Sequence, residues 1–266
     1  MNVPCSTVFT LPADDGGVGG LTVVFLHALG GASTHWAQQL AHMRTARRAI
    51  AITLRGHPGA PAPRRRDFRM ATLAGDVLRT LDALGVERCA LVGHSIGAHV
   101  ALSIAACAPQ RVAGVLLADS ASDARRLSRG EWDALVRGLE SDAYAATIDR
   151  HYRHLLVGSR PAVAQRVLAD LHATAASTVV GVMHAARDFD ALEALATYGG
   201  RKLAVDSYLG EQPGSLHRLC PELRRTRLGD CGHWLHLDRP AEFNLILDGW
   251  LGAMNPVRRD AAPTAH

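Results

Sequence analysis

Six short runs of aliphatic and β-branched residues punctuate the chain, at 21–27, 49–54, 89–93, 113–118, 202–207 and 224–228. Stretches with helical spacing lie between most of them. In the segment 70–85, Leu73, Val77, Leu81 and Leu84 recur at steps of four, four and three, which predicts an amphipathic helix with Gly85 as its stop. After Gly97 the small residues Ala101, Ala105, Ala106 and Ala108 predict a helix held close to a sheet and ended by Pro109. Fully apolar strands alternating with helices imply an α/β fold with a doubly wound, mostly parallel sheet.

The rhythm breaks over 121–187. Helical patterns occupy 131–140, 144–156 and 161–175, with no convincing strand among them. This stretch is expected to be an inserted helical cap, with the core formed by 1–120 and 188–255 and a flexible tail at 256–266. A chain of 266 residues without a long polar or Pro/Gly-rich divide is enough for one sizeable core and short for two. No internal repeat is visible.

Composition narrows the partners. The net charge of +4 comes almost wholly from arginine, Lys202 being the only lysine. The arginines are scattered, apart from Arg64-Arg65-Arg66 in a Pro-rich loop that reads as solvated. Basic residues are not interleaved with aromatics, so no nucleic-acid partner is expected. No apolar run of about 18 residues could span a bilayer, so no membrane partner is expected either. The first residues, Met-Asn-Val-Pro-Cys-Ser, lack the basic start and apolar stretch of a secretory signal, which makes a cytoplasmic location the expectation. Cys5, Cys89, Cys107, Cys220 and Cys231 are scattered, without a C-x-x-C pair, and read as reduced thiols.

The chemistry is concentrated in Gly93-His94-Ser95-Ile96-Gly97, a G-x-S-x-G sequence set between an apolar strand and a helix. Two glycines allow a turn tight enough to hold Ser95 in a strained conformation, its hydroxyl exposed above the sheet near a helix N-terminus. Upstream, Phe25-Leu26-His27-Ala28-Leu29-Gly30-Gly31 follows an early strand. Late in the chain comes Gly232-His233-Trp234, and Arg55-Gly56-His57-Pro58-Gly59 lies between.

Together these segments resemble the α/β-hydrolase fold superfamily, in the branch of small esterases, lactonases and carbon–carbon-bond hydrolases. The resemblance runs from about residue 21 to 251; it does not extend to a particular subfamily in the cap. It implies that Ser95 is the nucleophile and His233 the general base, and that the backbone amides of Leu29 and Ile96 form the oxyanion hole. Ala28 departs from the glycine usual in the His-Gly-x-Gly-Gly loop. For the acid, the family's commonest position falls near Gly210, where Glu211 is one residue late and Asp206 several early. Some relatives use the position held here by Asp119, which ranks first of the three. Whichever acts would accept the His233 ring N–H and stabilise the imidazolium.

The expected activity is hydrolysis of a small ester, lactone or activated carbonyl through an acyl-enzyme, with no cofactor and no metal. Lyase, acyltransferase or perhydrolase chemistry on the same residues, or a silent small-molecule-binding homologue, are the alternatives. His151 and His154, one helical step apart, read as a solvated cap face. Trp36 could line the acyl pocket or fill the core. The oligomeric state is open.

Overall fold

A computed structural model describes residues 10–61, 66–126, 129–212 and 214–254. Cys5, Arg64, Arg65 and the expected tail at 256–266 lie outside the described residues. In chain order the elements are β1 (Ala13–Gly16), β2 (Thr22–Leu26), α1 (Ala37–Met43), β3 (Ala49–Ile52), α2 (Met70–Ala83), β4 (Cys89–His94), α3 (Ile96–Cys107) and β5 (Val112–Ala118). Five helices follow: α4 (Arg129–Leu139), α5 (Tyr144–Leu155), α6 (Pro161–His172), α7 (Ala176–Asp188) and α8 (Ala191–Thr197). The chain then completes β6 (Arg201–Asp206), α9 (Leu216–Leu219), β7 (Arg225–Arg227), α10 (Leu235–Asp238) and α11 (Pro240–Gly252).

The strands form one seven-stranded sheet in the order β1-β3-β2-β4-β5-β6-β7. Every pairing is parallel except β1 with β3. Period-two alternation explains why the parallel strands read as continuous apolar runs. Val24, Leu26, Leu91, Val115 and Leu117 face one core, formed with α2 and α3. Val23, Phe25, Ala90, Val92, Leu116 and Ala118 face the other, filled by Trp36 and Leu40 and by Phe243, Leu247 and Trp250 of α11.

The chain leaves α2 through Gly85 at φ 68°, the expected stop. There the amides of Gly85 and Val86 satisfy the carbonyls of Asp82 and Leu81 at 3.1 and 2.8 Å. Helices α5, α6 and α7 do not build a separate core: Ile148, Tyr152, Val167, Leu171 and Val182 join the same apolar cluster as α2 and α3. Helix α8 returns to pack directly on α3.

The candidate active site

β4 ends at His94, and the next residue already begins the turn into α3. Ser95 takes φ 54° and ψ −117°, a backbone conformation costly for a side chain with a Cβ. It is one of three non-glycine residues with positive φ among the described residues, with Asp119 and Asp230. The flanking glycines make the turn possible by contact rather than by flexibility. A Cβ on Gly93 would lie 2.3 Å from the Gly97 carbonyl oxygen, and one on Gly97 would lie 2.3 Å from the carbonyl oxygen of Leu26. The same closeness brings the start of α3 against the end of β2, where the loop of Leu29 begins.

That loop is tied down at several points. The buried His27 ring donates from Nδ1 to Ala28 O at 2.7 Å and accepts the Leu54 amide on Nε2 at 2.9 Å. Gly31 N–H closes a turn onto Ala28 O at 3.0 Å, and Tyr152 Oη donates to Leu29 O at 2.7 Å. The Leu29 amide has no partner among the described residues. The Ile96 amide opens α3 and is one of the donors that a helix leaves free at its start.

β5 stops at Ala118, and Asp119 turns through φ 39° to aim its carboxylate across the end of β6. Oδ1 accepts the Ser207 amide at 3.0 Å, and Oδ2 accepts the Ser207 hydroxyl at 2.5 Å and the His233 Nδ1–H at 2.9 Å. With Nδ1 donating, Nε2 of His233 is left as the proton acceptor. The His233 backbone is fixed on both sides, since its amide donates to Leu155 O at 3.1 Å and its carbonyl accepts His94 Nε2–H at 2.9 Å.

Of the three carboxylates the sequence offered, Asp119 is the one that meets the His233 ring. Glu211 instead accepts Arg225 at 2.7 Å on the surface. Asp206 is buried against Arg225 and His217, at 3.0 and 3.1 Å. Burial and the neighbouring Asp119 charge push the Asp206 carboxyl up to about 7, outweighing the pull of Arg225.

Ser95, Ile96, Leu29, Asp119 and His233 line one pocket of about 280 Å³. Its further walls come from the helices after β5, with Trp132, Tyr152, Leu155, Met183 and Ala186, and from Ser120, Ser122 and Gln212. His151 and His154, read as a solvated face, both line the pocket, His154 exposed as expected and His151 partly buried. Burial and the nearby His233 hold His151 neutral, its pKa lowered to about 4. Trp36 lies in the core, stacked on His236 with ring centroids 4.0 Å apart, and is not part of the pocket wall. Ser207 escaped the sequence reading. Its role depends on the parallel register of Ala118 with Val205, which places the ends of β5 and β6 side by side. Among the described residues no group of three His, Cys, Asp or Glu side chains is placed to hold a metal ion.

A family model described as alpha/beta hydrolase fold matches residues 22–240. The chain belongs to this family. It is 28% identical over 250 residues to the dihydrolipoyllysine-residue acetyltransferase component of the acetoin cleaving system of Cupriavidus necator, a match covering 89% of this chain and 65% of that protein. It is 27% identical over 255 residues to the putative carbamate hydrolase RutD of Klebsiella pneumoniae, covering 91% and 95%. Among the curated relatives it matches, the chain spans from 28% to 65% of the length of the two acetyltransferase components and 47% of a RutD from Variovorax paradoxus. Among solved structures, the enol-lactonase from Burkholderia xenovorans LB400 superposes with a TM-score of 0.79 at 21% identity, covering 91% of this chain and 96% of that one, a likeness of fold.

Proposed function

We propose that this α/β-hydrolase-fold protein is a serine hydrolase that cleaves a small ester or lactone through an acyl-enzyme. The observation that carries the reading is the strained Ser95 elbow opening into the same pocket as a His233 whose Nδ1 is held by a buried carboxylate. In the first step His233 Nε2 takes the Ser95 hydroxyl proton as Oγ attacks the substrate carbonyl. The Leu29 and Ile96 amides receive the negative charge that grows on the carbonyl oxygen. His233 then returns the proton to the leaving alkoxide as the C–O bond breaks. Water, deprotonated by the same Nε2, attacks the acyl-enzyme; the bond from the acyl carbon to Ser95 Oγ then breaks, Oγ takes the proton back from His233, and the acid leaves. Asp119 stabilises the imidazolium in both halves and keeps the ring in the productive tautomer.

A pocket of about 280 Å³ walled by Trp132, Leu155, Met183 and Ala186 supports a compact substrate with an apolar body. The names of relatives, a carbamate hydrolase and an enol-lactonase, are consistent with acyl transfer to water.

A fluorophosphonate probe should label the wild-type protein at Ser95, and a panel of p-nitrophenyl esters and lactones should show turnover. Ser95→Ala should abolish labelling and lower kcat by at least about a thousandfold. Full esterase activity in Ser95→Ala would end this reading.

A further inference from the structure

Helix α5 ends against the active-site loops in a manner that the reaction above leaves unused. A helix has no intrahelical donors for its last carbonyls; in α5 the amides of Leu156 and Val157 reach those of Tyr152 and His154, and loops of the sheet add two more donors. Leu155 O accepts the His233 amide at 3.1 Å, and His154 O accepts the Tyr208 hydroxyl at 2.9 Å. One turn earlier the buried Tyr152 packs on Trp234, ring centroids 5.6 Å apart, and donates its hydroxyl to Leu29 O at 2.7 Å. The turn into α6 continues the seam. Arg160 N–H donates to Asp238 Oδ1 at 2.9 Å, while Oδ2 of the same carboxylate accepts Gly232 N–H at 3.0 Å.

Two of these bonds land on residues that carry reacting groups. The peptide plane bearing the Leu29 N–H is anchored twice at Ala28 O, by His27 Nδ1 and by Gly31 N–H. The next plane, bearing Leu29 O, is anchored among the described residues by Tyr152 alone. Burial pushes the Tyr152 phenol well above its ordinary pKa, so it stays a donor throughout the working range. An oxyanion donor helps only if it is aimed before charge develops, since reorienting it during the reaction would cost the energy it supplies.

Resting on the serine-hydrolase reading, we infer that the last turn of α5 is a clasp setting the oxyanion donor against the general base, with Tyr152 the positioning residue for the Leu29 amide. The cap helix thus holds the Leu29 loop through a side chain and the His233 loop through a main-chain carbonyl. The substrate pocket and the catalytic geometry share one helical turn.

The test compares Tyr152→Phe with Tyr208→Phe on a p-nitrophenyl ester that the wild type turns over. Tyr152→Phe keeps the ring on Trp234 and removes only the bond to Leu29 O. It should lower kcat on the order of ten- to a hundredfold with KM within about twofold, the mark of an interaction made in the transition state. A trifluoromethyl ketone, which forms a tetrahedral adduct on the serine, should weaken by a similar factor, while the affinity for the acid product stays within twofold. Tyr208→Phe severs a bond from the same helical turn that reaches no reacting group, and its kcat should stay within twofold of wild type. An unchanged kcat in Tyr152→Phe, or a raised KM with kcat intact, overturns the inference. An equal loss in both variants does so too, since it would report general loosening of the cap. The underlying reading fails separately, if Ser95→Ala retains activity.

Discussion

The carboxylate of Asp119 has two kinds of partner, and they differ in what mutation can remove. The Ser207 amide on Oδ1 belongs to the backbone and survives any side-chain change, whereas the Ser207 hydroxyl on Oδ2 at 2.5 Å does not. Ser207 is fully buried, so its hydroxyl has no water to turn to. Hydrogen bonds to charged groups contribute roughly 1.5–3 kcal/mol. The Ser207 hydroxyl and the His233 Nδ1–H share one oxygen, and losing the first leaves Asp119 freer to swing away from the second. Ser207→Ala is therefore expected to lower kcat by on the order of tenfold, about 1.4 kcal/mol, with KM nearly unchanged. Steady-state kinetics on any substrate that turns over will decide it, and an unaltered kcat would show that the amide alone suffices to hold the carboxylate.

At the scale of elements, the decisive contact is between α3 and the end of β2. Ala in place of Gly97 would set a Cβ against the backbone carbonyls of Leu26 and His27, at 2.3 and 2.7 Å, and neither can move without carrying the Leu29 loop with it. Overpacking of this kind costs about 1–3 kcal/mol. Gly97→Ala should accordingly lower the melting temperature by roughly 3–10 °C and reduce fluorophosphonate labelling. Gly249→Ala, on the exposed face of α11 with open space at its Cβ, should leave both unchanged or raise stability slightly. Equal melting temperatures for the two variants would contradict the contact. This glycine was legible in the sequence because the G-x-S-x-G pattern names it. The parallel strands were legible because burial on both faces makes them continuous apolar runs. β1 was not: Ala13-Asp14-Asp15-Gly16 is polar, and it holds the antiparallel edge with help from Arg44 on Asp14 and Arg48 on Asp15. The helices after β5 were readable one by one from their spacing. Which face of α5 meets the pocket was not, since it depends on where the helix docks, and so Tyr152 went unassigned and the place of His151 and His154 at the pocket was missed. Choosing among Asp119, Glu211 and Asp206 likewise needed the register between β5 and β6, which periodicity does not carry.

The molecule as a whole buries several imidazole rings. His27, His94 and His236 are fully enclosed and burial drives their pKa values well below 6.5, while His57 and His99 are lowered to about 4 by burial, as is His151 at the pocket. His236 has no hydrogen-bond partner for either ring nitrogen among the described residues, so a proton taken up there would put an unpaired charge between Trp36 and His94. Each such group binds a proton more readily in the unfolded chain than in the fold. Their contribution to stability is present in full above about 6.5 and is withdrawn as the pH falls below that value toward their lowered folded pKa values. Asp206 works in the opposite sense. Its pKa, raised from 3.8 to about 7, lets the fold hold a proton that the unfolded chain has lost, so its help is full below about 3.8 and is lost as the pH rises from there through 7. These six imidazoles and His217, also lowered by burial, stand against one carboxyl and decide the sign. The melting temperature should hold nearly level from pH 8 to about 6.5 and then fall steadily toward pH 4. The first signs of that fall should appear at the site, because His94 holds the His233 carbonyl and packs against its ring at 4.7 Å between centroids. Scanning calorimetry across this range, paired with activity after return to neutral pH, measures both. A melting temperature that stays level or rises between 6.5 and 4 would mean that the enclosed histidines either take up protons within the fold or are not enclosed in solution.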